Sequence, residues 1–190
     1  MVIVAHDPGT SGGFATFNTH TKEATCRSVP DTDTGIVDYL KSLRVVDPYE
    51  KPLGSRYVEG MVHLVSEKVG GFIGLRKSYV NIVCPHCKGI VPYETSQGDP
   101  GSTMFKFGDG NGFVRGVCIA LGFGYDTIAP RSWQKIHNLY KERGMSKTQW
   151  KNILKDRAQK LFPNLKVTLS TADALLILDV ALRMPRIQSI

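Results

Sequence analysis

At 190 residues and 42% hydrophobic content, the chain can bury one sizeable core and suits a single globular domain, or one domain carrying an insertion. No apolar stretch approaches the length of a membrane span, and the N-terminus lacks the basic-then-apolar order of a secretory leader. The expectation is therefore a soluble, unprocessed cytoplasmic protein with no membrane partner. The net charge of +7 is concentrated, because residues 131–166 hold 10 Lys and Arg against 2 Asp and Glu while residues 1–130 hold 12 against 13. That clustering favours a surface facing a polyanion over charge spread evenly for solubility, with a solvated basic helix as the plainer reading.

In chain order, residues 2–6, 13–18 and 23–29 read as three short strands joined by a Gly-rich turn and a polar turn, an antiparallel meander. Ile36, Val37, Leu40 and Leu43 then recur at helical spacing over residues 33–43, with Asp33 as the N-terminal cap. The run Met61-Val62-His63-Leu64-Val65, ending in Ser66-Glu67, predicts a second buried strand with a carboxylate at its tip. From Gly70 to Gly101 the composition shifts to Gly, Pro, Ser and a cysteine pair, and only 79–83 and 90–93 look strand-like, which predicts an inserted loop or small hairpin.

Residues 102–122 carry a mostly helical pattern loosened by Gly108, Gly110 and Gly112, residues 124–128 a short strand, and Pro130 opens a helix through Trp133 and Ile136. Between Ser146 and Phe162 a clear amphipathic helix has Ser146 as its cap, with Lys147, Lys151 and Lys155 recurring every four residues beside the apolar stripe. The last helix, 171–183, is apolar on almost every side and predicts a covered element. Strands first, then helices interrupted by single strands, indicate an α/β domain with a mixed sheet flanked by helices.

Four cysteines occur, and only Cys84-Pro85-His86-Cys87 is closely spaced. Without a secretory leader, a disulfide framework is not expected. Cys84 and Cys87 read as half of a tetrahedral Zn²⁺ site, whose other ligands would come from a symmetry-related subunit or from His86 and another group, or else as two plain reduced thiols.

Three carboxylates fall where polar groups are otherwise absent: Asp7 at the end of Val2-Ile3-Val4-Ala5, Glu67 at the end of the second apolar strand, and Asp173 within Thr171-Ala172-Asp173-Ala174-Leu175-Leu176. An acid in an apolar setting costs several kcal/mol unless paired or coordinated, so three in one fold suggest a shared divalent cation. Oxygen-only ligands select Mg²⁺ or Mn²⁺. Two such ions, roughly 3.5–4 Å apart, can activate a water and stabilise the leaving 3′ oxygen in phosphodiester hydrolysis.

The ordered set Asp7-Pro8-Gly9-Thr10-Ser11-Gly12-Gly13, Ser66-Glu67-Lys68-Val69, Met104-Phe105-Lys106-Phe107-Gly108, Ala120-Leu121-Gly122, Ala129-Pro130-Arg131-Ser132-Trp133-Gln134-Lys135, Arg157-Ala158 through Leu161-Phe162-Pro163, and Ala172-Asp173-Ala174-Leu175-Leu176 spans nearly the whole chain. It resembles the RuvC-like Holliday junction resolvases of the RNase H-like nuclease superfamily, particularly the phage version. The resemblance implies an RNase H-like domain that acts as a homodimer on four-way DNA junctions, by metal-dependent hydrolysis at Asp7, Glu67 and Asp173, in the host-cell cytoplasm if phage-encoded. It also implies a further acid one helical turn before Asp173, where this chain has Ser170. Ser170 would then act as an outer-shell hydrogen bonder, because Asp179, the other option, lies about 120° round the helix and about 9 Å along it from Asp173. Phe72, five residues past Glu67, stands where such resolvases can present a wedge between bases, and it also reads as a packing residue. Arg131, Lys135, Lys147, Lys151 and Lys155 are the expected phosphate contacts, which position DNA without reading its sequence.

Plainer roles remain for the acids: Asp7 capping a turn, Glu67 in an ordinary ion pair, Asp173 capping the last helix. Trp133, Trp150 and His63 read as core residues. Two further functions are compatible with the same residues. One is a branched-DNA binding protein with weakened catalysis, suggested by Ser170. The other is an ATP-binding protein of the actin and sugar-kinase group, whose opening Asp-x-Gly-Thr-Ser-Gly is shared but whose second phosphate loop and greater length are not found in this chain.

Overall fold

A computed structural model describes residues 1–9, 11–44, 62–69, 76–97 and 101–185. Strands β1 (Val2–Asp7), β2 (Gly13–Asn18) and β3 (Ala24–Ser28) form the expected antiparallel meander, followed by helix α1 (Asp33–Ser42). Strand β4 (Val62–Glu67) then pairs parallel to β1, and β7 (Gly124–Ile128) parallel to β4, giving one five-stranded sheet in the order β3-β2-β1-β4-β7. β1 is therefore central, which explains why all six of its residues are buried.

Between β4 and β7 lie a separate two-stranded hairpin, β5 (Arg76–Val83) and β6 (Ile90–Gln97), and helix α2 (Gly101–Ala120). Helices α3 (Pro130–Ile136), α4 (Lys147–Leu161) and α5 (Ala172–Ala181) complete the described chain. None of the described helices is long and apolar enough to cross a membrane.

Strand alternation sends side chains into two cores, one on each face of the sheet. Ile3, Ala5, Ala15 and Val65 face α5, Leu154 and Ala158 of α4, and Trp133 of α3. Val2, Val4, Phe14, Val62 and Leu64 face Ile36 and Leu40 of α1 and Val114 and Cys118 of α2. Helix α5 is apolar all round because it is covered all round, and Asp179 alone of its ten residues is not buried. Each of Leu175, Leu176, Ile177 and Leu178 is fully buried and contributes about 1.5–3 kcal/mol of transfer free energy.

The helix starts follow local chemistry. Ser146 and Gln149 form a reciprocal capping box on α4, at 3.2 and 2.9 Å. The cap of α1 is Thr32, not Asp33: the Thr32 hydroxyl accepts from the Gly35 N–H at 3.1 Å, and Asp33 takes the first helical turn, where a negative charge also suits the helix dipole.

The turn joining β1 to β2 packs tightly against the start of α5. A Cβ on Gly12 would collide with the Asp7 carbonyl, and one on Gly13 would stand 2.5 Å from the Ser170 carbonyl oxygen. Gly13→Ala should therefore destabilise the fold by about 1–3 kcal/mol. Gly112→Ala, on the exposed side of α2 where an added Cβ meets nothing within 4 Å, should stabilise it by about 0.5–1 kcal/mol through helix propensity. Thermal melts of the two variants should move in opposite directions, and an unchanged melting temperature for Gly13→Ala would contradict the close approach of β2 to α5.

Candidate active site

The pairing of β1 with β4 matches Ala5 to Val65 and His6 to Ser66, so Asp7 and Glu67 end adjacent parallel strands side by side. By alternation both point to the face of Ala5 and Val65, beneath α5. Asp173 lies in the first turn of that helix. Three acids remote in sequence thus meet at one end of the sheet. Asp7 and Asp173 are each only 7% exposed, and Glu67 is half-buried.

Their charges are held in check by two partners from other helices. Lys151 of α4 donates from Nζ to Asp173 Oδ2 at 2.6 Å, and the Trp133 indole N–H donates to Glu67 Oε2 at 2.8 Å. A buried indole N–H needs an acceptor, and here that need orients a carboxylate. Burial, reinforced by Asp173 and Glu67 and opposed by Lys151, raises the Asp7 carboxyl to about 8. Asp173 is raised by burial against the pull of Lys151, and Glu67 by burial and Asp173 against the bond from Trp133. Burial disfavours the charge on Lys151, but Asp173, Asp7 and Glu67 outweigh it and the ammonium is held above its ordinary value. All three acids thus sit above their usual range, the condition of a site short of positive charge.

The opposite face of the same two strand ends is locked by hydrogen bonds. His6 Nδ1 pairs with Ser66 Oγ at 3.0 Å, and Ser66 Oγ donates to Asn111 Oδ1 of α2 at 3.1 Å. His6 stacks on Phe14 with ring centroids 4.6 Å apart, and burial lowers it to about 3, so it is neutral at physiological pH. The residues immediately behind Asp7 and Glu67 are therefore tied to each other and to α2.

The other expected site residues separate into groups. Lys147 is exposed at the start of α4 and, with Lys106, lines a groove of about 630 Å³ beside Pro8, Gly9 and Ser11. Lys155 is half-buried, and Arg131 and Lys135 are exposed on α3. Lys151 does not share an outward row with Lys147 and Lys155, because the buried Asp173 draws its ammonium inward. Ser170 bonds to the hydroxyls of Ser28 and Thr168, both at 2.8 Å. Asp179 is paired with Arg183 at 2.7 Å and faces His137 at 3.9 Å, away from the three acids. His63 is satisfied by Asp126 at 3.0 Å. Cys84 and Cys87 lie in the turn of the β5–β6 hairpin, and Phe72 lies outside the described residues.

Lys151, Trp133 and the His6–Ser66–Asn111 chain are the site residues that sequence spacing did not assign to this place. For Trp133 the available signal was the rule that a buried indole N–H finds an acceptor. For Ser66 and His6 it was the presence of polar residues inside an otherwise apolar strand end.

The donor set is all-oxygen and suits Mg²⁺ or Mn²⁺. Asp173 Oδ1 is buried with no hydrogen-bond partner among the described residues, which leaves an acceptor open to a cation. As the side chains stand, no three His, Cys, Asp or Glu among the described residues are grouped to hold one ion. Lys151 supplies the compensating charge in their midst. The residues fit a hard cation that would compete with this ammonium for Asp173.

No protein-family model and no curated protein matches the sequence. Among solved structures the chain is similar to T. thermophilus RuvC in complex with a Holliday junction substrate, with 12% sequence identity, a TM-score of 0.52, and 94% of this chain and 90% of that one covered. A structure of Thermus thermophilus RuvC is also similar, with 12% identity, a TM-score of 0.46, and 94% and 91% covered. At such identity the likeness is one of fold. The mixed five-stranded sheet and its helices form an RNase H-like fold, the fold of RuvC.

Proposed function

We propose that the protein is a metal-dependent, structure-specific DNA endonuclease that resolves four-way junctions as a homodimer. The observation that carries this reading is the convergence of Asp7, Glu67 and Asp173 at one end of a sheet whose fold is that of RuvC, each acid raised in pKa by burial. The net charge and the exposed Lys106, Lys147, Arg131 and Lys135 add a phosphate-facing surface.

Asp7, Glu67 and Asp173 would hold the divalent ions, which when bound supply an activated water and charge stabilisation at the leaving 3′ oxygen. Trp133 fixes the rotamer of Glu67 through its N–H bond. The His6–Ser66–Asn111 chain holds both strand ends in register from behind. Lys151 neutralises Asp173 in the resting site. With Asp173 engaged by a cation, the Lys151 ammonium would be free to meet a phosphate oxygen and stabilise charge that develops there. Two symmetric cuts across a four-armed substrate require two sites related by a two-fold axis, which a homodimer provides.

A second reading, a junction-binding protein with weakened catalysis, draws on Lys151 occupying the acid cluster and on Ser170 being tied to Ser28 and Thr168. A cleavage panel of four-way, flap, fork and linear DNAs, each with Mg²⁺, Mn²⁺ or chelator, separates the two. The nuclease reading expects metal-dependent paired nicks in four-way junctions, loss of cleavage in Asp7→Asn, and junction binding by that variant within a few-fold of the wild type. Metal-independent cutting, or normal cutting by Asp7→Asn, would remove the role given to the acids. Binding without cleavage would leave the second reading.

Lys151→Met should lower the cleavage rate by about 10²-fold or more if the ammonium stabilises developing charge, with a much smaller change in junction affinity. A rate within a few-fold of the wild type would reduce Lys151 to a resting-state counterion.

Without metal, the raised Asp7 carboxyl links stability to pH. Between its ordinary 3.8 and about 8, the folded state binds a proton that the unfolded chain has lost. Stability is thus full below the lower value and falls as pH rises toward the upper one, by at most about 1.4 kcal/mol per unit. Melts in chelator should show this decline, and Asp7→Asn or saturating Mg²⁺ should make it shallower. A melting temperature that rises across the same interval for the wild type but not for Asp7→Asn would contradict the burial of an uncompensated acid at position 7.

A further inference from the structure

The β5–β6 hairpin stands apart from the acidic site and is built around Cys84-Pro85-His86-Cys87-Lys88-Gly89. The Cys84 N–H donates to the Gly89 carbonyl at 2.8 Å and the Lys88 N–H to the Cys84 carbonyl at 2.9 Å, closing the turn. Lys88 adopts a left-handed φ of 58°. A Cβ at Gly89 would stand 3.3 Å from the Cys87 sulfur. Two cysteines thus stand in one closed turn with two residues between them, a spacing that can present both sulfurs to one tetrahedral ion.

A closed tetrahedral site needs four ligands, and among the described residues the turn brings two together. Every cysteine and histidine of the sequence lies among the described residues. Cys118 is buried on the core side of α2, Cys26 sits on β3, His6, His63 and His137 are hydrogen-bonded inside the main sheet and its helices, His20 lies in the turn between β2 and β3, and His86, in the hairpin turn itself, does not group with the two sulfurs. No third His, Cys, Asp or Glu joins Cys84 and Cys87 among the described residues.

The hairpin also leaves an apolar face uncovered. The cross-strand pairs Val80–Tyr93 and Ile82–Val91 share one side of the ribbon, and these four side chains are 46–57% exposed. Cys84, two residues beyond Ile82, continues the same alternation. A two-stranded ribbon is at best marginally stable alone in water, and a contiguous exposed apolar patch marks an interaction surface. An identical hairpin answers both needs, because it supplies two more sulfurs and a matching apolar face about a two-fold axis.

We infer that the hairpins of two copies of this chain clasp one zinc ion through Cys84 and Cys87 of each, with Val80, Ile82, Val91 and Tyr93 packed across the axis. None of the clasp's residues is one of the three acids, and its two-fold axis is that of the homodimer proposed above, on which reading it rests. On binding, the thiol protons leave to solvent and no electrons are transferred.

Cobalt(II) titration of the purified full-length protein tests the clasp, with the sulfur-to-cobalt charge-transfer band as readout, because carboxylate-bound cobalt gives no such band. The expected endpoint is about 0.5 equivalents per chain, with the visible spectrum of four-thiolate tetrahedral cobalt. Light scattering at the endpoint should give the mass of two chains, and zinc should displace the cobalt without changing that mass. Cys84→Ser with Cys87→Ser should lose the band while keeping the wild-type far-ultraviolet circular dichroism. An endpoint of about one equivalent per chain, a spectrum with fewer than four thiolates, no band at all, or a band retained by the double variant would each overturn the clasp.

Discussion

The buried carboxylate of Asp7 is the constraint from which the rest of the site follows. An acid at the tip of a strand enclosed on both sides loses most of its hydration, and its neighbours Glu67 and Asp173 deepen the penalty. Such a cluster survives in a fold only with positive charge or a proton to offset it. In this structure the offset is shared between the Lys151 ammonium and the proton that a raised pKa retains on Asp7. A divalent ion would replace both, and that exchange turns an electrostatic liability into a binding site.

The scaffold keeps the liability in a fixed geometry. β1 lies between β2 and β4, so the position of Asp7 is set by two ladders of backbone hydrogen bonds. Gly13 lets β2 approach the loop that enters α5, which brings Asp173 over the strand ends. On the other side, the His6–Ser66–Asn111 chain joins β1, β4 and α2 directly behind the acids. Rigid elements on both faces hold the carboxylates more tightly than loops would, as the proposed ion site would require.

Much of this was legible in the residues. Apolar runs ending in a lone acid marked Asp7 and Glu67 because a buried strand has few reasons to carry a carboxylate. The all-round apolar pattern of α5 announced a covered helix, and Ser146 gave the start of α4. Helical periodicity alone separated Asp179 from Asp173, and Asp179 indeed pairs with Arg183. What escaped was everything decided by which element lies across from which. The four-residue spacing of Lys147, Lys151 and Lys155 places them on one helical face, yet only the packing of α4 against α5 turns Lys151 toward Asp173 while Lys147 stays outside. Ser170 meets Ser28 across 142 positions of sequence, and no local pattern encodes that contact. Thr32 and Asp33 are both good capping residues, so composition could not choose between neighbours that backbone geometry separates.

Anomalous diffraction from crystals equilibrated with Mn²⁺ would test the exchange of ammonium for metal most directly. The account predicts manganese peaks bounded by Asp7, Glu67 and Asp173, with the Lys151 ammonium moved off Asp173 Oδ2. A lysine still bonded to Asp173 at saturating Mn²⁺, with no peak among the three acids, would contradict it.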